Sequence, residues 1–347
     1  MPDRLLEVED LKVSFATEDG VVHAVDGVSF TLDRGEVLAI VGESGSGKSV
    51  TSMTLMGLTR SVNSHFEGSA KFKGEELLSA SEEQLERIRG AEIAMIFQDP
   101  ISSLSPVHRI GDQIVEQILA HEQNVSKAAA FDRAVELMER VGIPHARGRA
   151  RNFPHEFSGG MRQRAMIAMS LSLSPSVLIA DEPTTALDVT IQAQILNEVK
   201  ELKEHSDSGI IFVTHDLGVV ADIADRVIVM YAGRVVEQGT LDEIFYDPQH
   251  PYTWGLLGSI TRMDREPPKR LPAIPGLPPS LLHAPRGCHF RPRCPHAFDR
   301  CTEVPSLEAR VPDAPDHLDR CWLELEEKRA RRDIGGRIGL VRDTVTT

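Results

Sequence analysis

The residues Gly42-Glu43-Ser44-Gly45-Ser46-Gly47-Lys48-Ser49 have the types and spacing to hold a polyphosphate. Glycines let the backbone turn tightly enough for successive N–H groups to face an anion, and a helix N-terminus adds partial positive charge. Lys48 would reach the β- and γ-phosphates, and Ser49 would give its hydroxyl to magnesium. A pair of acids, Asp181-Glu182, stands directly after the apolar run Val177-Leu178-Ile179-Ala180. Asp181 would hold magnesium, directly or through water, and Glu182 would polarise the attacking water.

Such groups need rigid elements to position them. Val37-Leu38-Ala39-Ile40-Val41 reads as a buried strand of a parallel sheet, and residues 50–58 read as the helix after the glycine-rich loop. The run before Asp181 reads as another buried strand, ending where ligands of open α/β sheets sit. A glycine turn without a ligand, or acids that only cap the next helix, would be the structural alternatives. Both features in one chain favour a P-loop nucleotide site.

Phe157-Ser158-Gly159-Gly160-Met161 resembles the signature motif of ATP-binding cassette (ABC) ATPases, with Phe157 in place of the usual leucine and Met161 in place of the usual glutamine. Other motifs follow in the family's order. Gln98, after Ile93-Ala94-Met95-Ile96-Phe97, resembles the Q-loop; Ala186-Leu187-Asp188 resembles the D-loop; His215, after Ile210-Ile211-Phe212-Val213-Thr214, resembles the switch histidine. Phe15 stands where the family places an aromatic against adenine. The resemblance implies a P-loop NTPase (RecA-like) α/β core with antiparallel β and α-helical subdomains. It also implies ATP contacts at Phe15, Gly42, Ser44, Gly45, Ser46, Gly47, Lys48, Ser49, Val50, Gln98, Ser158, Gly159, Gly160, Asp181, Asp188 and His215. Magnesium would take Ser49, Gln98 and Asp181, and catalysis would fall to Glu182, His215, Lys48 and Gln98.

Ser158-Gly159-Gly160 opens an apolar helix, so its hydroxyl and free N–H groups make a second anion site. In the family, each signature covers the γ-phosphate on the other subunit's P-loop. The resemblance therefore implies a head-to-tail dimer, with itself or with a related ATPase, closing on two ATP molecules.

Composition sets outer limits. At 347 residues the chain has room for a large α/β domain and a smaller appendage, and a formal charge of −14 argues against nucleic acid as a partner. No apolar stretch is long enough to cross a bilayer, and Met1-Pro2-Asp3-Arg4 begins no signal-peptide core. The expectation is a soluble, cytosolic chain whose membrane role comes through partners. There is no internal repeat, which predicts one cassette rather than two.

Residues 1–247 read as the ATPase domain, with a helical subdomain at about 98–160 that includes helical spacing over 110–120 and 128–141. Residues 232–239 read as a hairpin ending the core. Residues 248–347 form an extension. Its prolines, from Pro251 through Pro267, Pro268, Pro272, Pro275, Pro278 and Pro279 to Pro285, predict a segment that is neither helix nor central strand. All four cysteines, Cys288, Cys294, Cys301 and Cys321, lie beyond those prolines. In a reducing compartment, clustered thiols favour metal ligation over disulfides. Zinc, an iron-sulfur cluster or free thiols all remain open, although the spacing lacks the paired C-x-x-C of common zinc sites.

His250-Pro251-Tyr252-Thr253, Pro275-Gly276, Pro278 and Gly287-Cys288-His289-Phe290-Arg291-Pro292-Arg293-Cys294 resemble the C-terminal extension of ATPase subunits of dipeptide and oligopeptide ABC importers. The resemblance implies a 4Fe-4S cluster on the four cysteines, structural in role. It also implies two membrane permease subunits, an extracytoplasmic binding protein, and a place on the cytoplasmic face of the cell membrane. Peptides are the implied cargo, with nickel or another small solute as the alternative. A non-transport ABC ATPase is the remaining rival; repair members insert long coiled coils and translation members usually carry two cassettes, and this chain has neither.

Overall fold

The computed structural model describes residues 3–184, 189–259 and 274–334. The chain divides into two compact units, each assembled from separate stretches: residues 1–6, 31–37 and 72–213 make one, and residues 7–30, 38–71 and 214–347 the other.

In the first unit three strands run parallel. Val177–Asp181 lies between Ile93–Ile96 and Gly209–Thr214, pairing Ala180 with both Ile96 and Phe212 and Asp181 with Val213. All five residues of Val177–Asp181 are buried, as expected of a strand covered on both faces. Parallel strands deliver their C-terminal ends to one edge of the sheet, so Gln98 and Glu182 leave from that edge together.

The same unit carries the helices Ile110–His121, Lys127–Arg140 and Gly159–Ser170. They pack on a shared apolar face that includes Ile114, Val115, Ile118, Ala134, Met138, Ala165 and Met166, each at most 3% exposed. Ser126 caps the second helix by accepting the Ala129 N–H at 3.2 Å. The helical spacing expected for this region is therefore realised.

In the second unit the strand Val37–Val41 contributes residues 38–41, paired in parallel with Arg226–Tyr231. That strand turns back through Ala232 and Gly233, both at positive φ (46° and 82°), into Arg234–Thr240. Two left-handed residues are what a tight hairpin turn requires. The expected hairpin is present.

The extension joins this second unit. Leu318–Asp319 pairs antiparallel with Glu237 and Gln238, and Glu308–Ala309 pairs with it in turn. The proline-based expectation fails at one point: Pro251 begins a helix, Pro251–Gly258. Proline lacks an N–H and has a fixed φ, which suits the first helical position, and His250 caps the helix by accepting the Tyr252 N–H at 3.1 Å. Burial, followed by the nearby cations Lys328 and Arg320, pushes His250 down to about 3, so the ring remains a neutral acceptor. Pro267, Pro268 and Pro272 lie outside the described residues.

Buried charge fixes the extension in place. Glu237 is 0% exposed and accepts hydrogen bonds from the N–H groups of Gln249 and His250 and from His317 Nε2 at 2.8 Å. Lys328 meets Asp319 at 2.7 Å with both side chains 1% exposed. Tyr231, Tyr252 and Phe290 pack together in tilted and edge-on contacts at centroid distances of 4.6–5.4 Å. Breaking one partner of such a pair strands a buried charge, which is why these contacts hold register.

Candidate functional site

The glycine-rich loop follows its strand directly and leads into the helix Lys48–Leu55. Two approaches enforce glycine. A Cβ on Gly47, at φ +100°, would lie 2.4 Å from the Ala24 carbonyl oxygen, and one on Gly42 would lie 2.2 Å from that of Met230. Gly47 accepts the first helical bond, from the Thr51 N–H at 2.9 Å. Ser46 is 3% exposed, and its hydroxyl has no hydrogen-bond partner among the described residues. Lys48 is 5% exposed and donates to the carbonyls of Gly42 (2.8 Å) and Glu43 (3.0 Å). Its ammonium thus rests on the loop it would leave to meet a phosphate. Ser49 and Val50 are half-buried in the first helical turn; Ser44 and Gly45 are exposed.

In the other unit, Asp181 is 3% exposed at its strand's end. Glu182 leaves the strand at φ 47°, a left-handed conformation that costs a non-glycine residue on the order of 1–3 kcal/mol. Its N–H is held by the Val213 carbonyl at 2.8 Å, and its Oε2 accepts from Gln98 Nε2 at 3.1 Å. The structure therefore brings Gln98 and Glu182 together, 84 positions apart in sequence. Buried Gln163, on the signature helix, donates to the Pro183 carbonyl at 2.8 Å and supports the turn after Glu182.

Ser158 caps the helix Gly159–Ser170, accepting the Met161 N–H at 3.3 Å. Ser158 and Gly159 are exposed, and a Cβ on Gly159 would meet nothing within 4 Å. A partner molecule can approach this helix start. His215 is exposed in the turn between strand and helix, next to Asp216, which caps Leu217–Ile223. Phe15 is half-buried on Arg4–Thr17. Asp188 lies outside the described residues.

The four cysteines line one pocket, with His250, Phe290, His296 and Trp322 among its other walls. None is in a disulfide. Burial raises the thiol of Cys288 and pushes those of Cys294 and Cys321 up to about 12. No group of three or more His, Cys, Asp or Glu side chains among the described residues is arranged to hold a metal ion.

Sequence reasoning missed three residues at the loop. Tyr252 Oη accepts the Glu43 N–H at 2.8 Å, and Arg293 chelates the Glu43 carboxylate through both terminal nitrogens. Tyr252 and Arg293 stand 209 and 250 positions from Glu43, and Glu43 occupies a variable position of the motif. No local pattern signals the contact.

Two family models match. One, described as ABC transporter, covers residues 25–185, and the other, described as oligopeptide/dipeptide transporter, C-terminal region, covers residues 236–301. The chain is 53% identical to the oligopeptide transport ATP-binding protein OppD of Salmonella typhimurium, over 93% of this chain and 95% of that protein. It is 55% identical to OppD of Bacillus subtilis over 92% of this chain and 89% of that one. The dipeptide transport ATP-binding protein DppD of Lactococcus lactis is 54% identical, over 92% of this chain and 91% of that one. Among solved structures, a dimeric ATP-binding cassette in a post-hydrolysis state with ADP and Pi superposes with a TM-score of 0.63 at 25% identity, covering 68% of this chain and 99% of that chain. A cassette from Clostridium perfringens, part of an ABC transporter complex, gives 0.57 at 30% identity, covering 70% and 90%.

Proposed function

This chain belongs to the ABC transporter family, in its oligopeptide and dipeptide transport ATP-binding group, and from that membership we infer that it is the ATP-hydrolysing subunit of a peptide importer. The observation that carries hydrolysis is the Gln98–Glu182 pair at 3.1 Å, beside the strand that ends in Asp181.

The residues divide the work by chemistry. The loop 42–49 wraps the phosphates with backbone N–H groups, and Lys48 trades two carbonyl oxygens for the β- and γ-phosphates. Phe15 stacks on adenine. Ser49, Gln98 and Asp181 offer only oxygen donors, a set suited to magnesium, and buried Asp181 brings it a carboxylate. The ion, when bound, neutralises charge on the β- and γ-phosphates. Glu182 accepts the proton of the attacking water, oriented by Gln98, and His215 contacts the γ-phosphate. Asp188 links the two sites of a dimer.

Ser158, Gly159 and Gly160 complete the site of a second ATPase subunit, whether a copy of this chain or a related one. The exposure of Ser158 and Gly159 supports this reading. The helical subdomain at about 98–160, entered directly from Gln98, passes closure of the dimer to two permease subunits. No helix among the described residues is long and apolar enough to cross a membrane. Its kinship with transporter ATP-binding subunits supports peripheral work on the cytoplasmic face, with an extracytoplasmic binding protein delivering the cargo. Residues 1–247 form the ATPase domain and residues 248–347 the extension.

The test is co-reconstitution in liposomes with both permease subunits and peptide-loaded binding protein, where ATPase activity should rise. An ATPase rate indifferent to permeases, or a chain that copurifies with ribosomes or DNA ends instead, would falsify this function. Peptide uptake unaffected alongside active nickel uptake would move the cargo to nickel.

For the cysteines the donor chemistry supports a 4Fe-4S cluster, since four thiols, none in a disulfide, line one pocket, although their side chains do not stand in a metal-holding arrangement in this structure. Bound there, the cluster would crosslink the extension and take no part in hydrolysis. Anaerobically purified protein should absorb in the visible range and contain about four irons per chain, the cluster's own stoichiometry. Zinc, or colourless metal-free protein, would overturn the assignment.

A further inference from the structure

We propose that the C-terminal extension sets the nucleotide affinity of the loop 42–49, with Arg293 and Tyr252 acting as positioning residues through Glu43. This rests on the reading of that loop as the ATP site.

Every polar group of Glu43 is engaged. Its N–H donates to Tyr252 Oη at 2.8 Å, and its carbonyl accepts from Lys48 Nζ at 3.0 Å and from the Ser46 N–H at 3.2 Å. Its carboxylate is gripped by both terminal nitrogens of Arg293. Two of these anchors come from the extension. The carbonyl on which Lys48 rests thus belongs to a residue whose orientation the extension fixes.

The anchors are themselves held by further contacts. Arg293 is 7% exposed and directs its remaining hydrogens to the carbonyls of Pro275 (2.9 Å) and Ile274 (3.3 Å) and to Tyr231 Oη (3.3 Å). A planar guanidinium with all its donors committed holds a carboxylate in one plane. The Glu43 contact raises the Arg293 pKa, and burial raises that of Tyr252. Tyr252 is 0% exposed and packs against Tyr231. An anion cradle of backbone N–H groups works only when its geometry is set before the ligand arrives, since ordering it on binding would cost affinity. Glu43 is the point at which this loop is set.

The experiment measures ATP affinity and the split between KM and kcat in the full chain for Glu43→Gln, Arg293→Gln, their double variant, and Tyr252→Phe. Loss of either partner of this part-buried, two-pronged pair frees the loop before ATP arrives, so each charge variant should weaken ATP binding about 10-fold or more. The double variant should be no worse than the poorer single. Tyr252→Phe keeps volume and removes only the hydroxyl, so about a 3- to 10-fold loss is expected with only a small fall in unfolding temperature. KM should rise far more than kcat falls, a split that general unfolding does not produce. Should Arg293→Gln fail to fold, Glu43→Gln and Tyr252→Phe decide the matter. Folded variants with wild-type ATP affinity, or losses that multiply independently, overturn the proposal. A wild-type chain that binds no ATP overturns the functional reading instead.

Discussion

Changing Glu182 to glutamine is expected to slow ATP turnover about 100- to 10,000-fold while leaving ATP binding intact. In the proposed mechanism the carboxylate accepts the proton of the attacking water, and the amide could not take that proton. Shape is retained: glutamine fills the same space, and its side-chain carbonyl can still accept from Gln98 Nε2, now at 3.1 Å from Glu182 Oε2. The backbone at φ 47° is held by the Val213 carbonyl and is indifferent to the change. The variant should therefore keep unhydrolysed ATP and accumulate as a nucleotide-bound dimer. Steady-state turnover together with the mass of the ATP-loaded species checks this. A rate within tenfold of wild type would remove Glu182 from the chemistry and leave it a strained turn residue.

Lys48→Ala carries the second large effect, on binding. Lys48 is 5% exposed, and in the described structure its ammonium lies on the carbonyls of Gly42 and Glu43. Alanine leaves those carbonyls without their donor and would present a phosphate with no cation. Removing one side of such a desolvated pair costs about 2–5 kcal/mol, or about 30- to several-thousand-fold in ATP affinity. Folding should survive, because alanine is the best helix former and position 48 begins the helix Lys48–Leu55. Nucleotide titration beside a thermal melt separates the two. Affinity within threefold of wild type would mean that the loop binds something other than a polyphosphate.

What could be read from the sequence was local. The loop 42–49 and the acids 181–182 are each contiguous, flanked by an apolar strand whose burial pattern is complete in the structure. The helices at Ile110–His121 and Lys127–Arg140 also announced themselves, because their apolar spacing needs no distant partner. Long-range pairing was illegible. Gln98 and Glu182 were each identified, yet nothing in their spacing said that they would bond. The grip of Arg293 on Glu43 crosses 250 positions and involves an arginine indistinguishable by sequence from its neighbour Arg291. Pro251 misled for a different reason. Proline breaks a helix interior but suits its first position, and only the cap made by His250 reveals which applies.

The short strand Leu318–Asp319 has a consequence for how this chain stays dispersed. It occupies the hydrogen-bonding edge of Arg234–Thr240, where Glu237 and Gln238 would otherwise offer unpaired backbone groups. Exposed edges of this kind template pairing with neighbouring molecules. The strands Glu308–Ala309 and Leu318–Asp319 thus guard against edge-to-edge strand pairing, and a chain trimmed to its motif-bearing part would expose an adhesive border beside a buried carboxylate stripped of its donors.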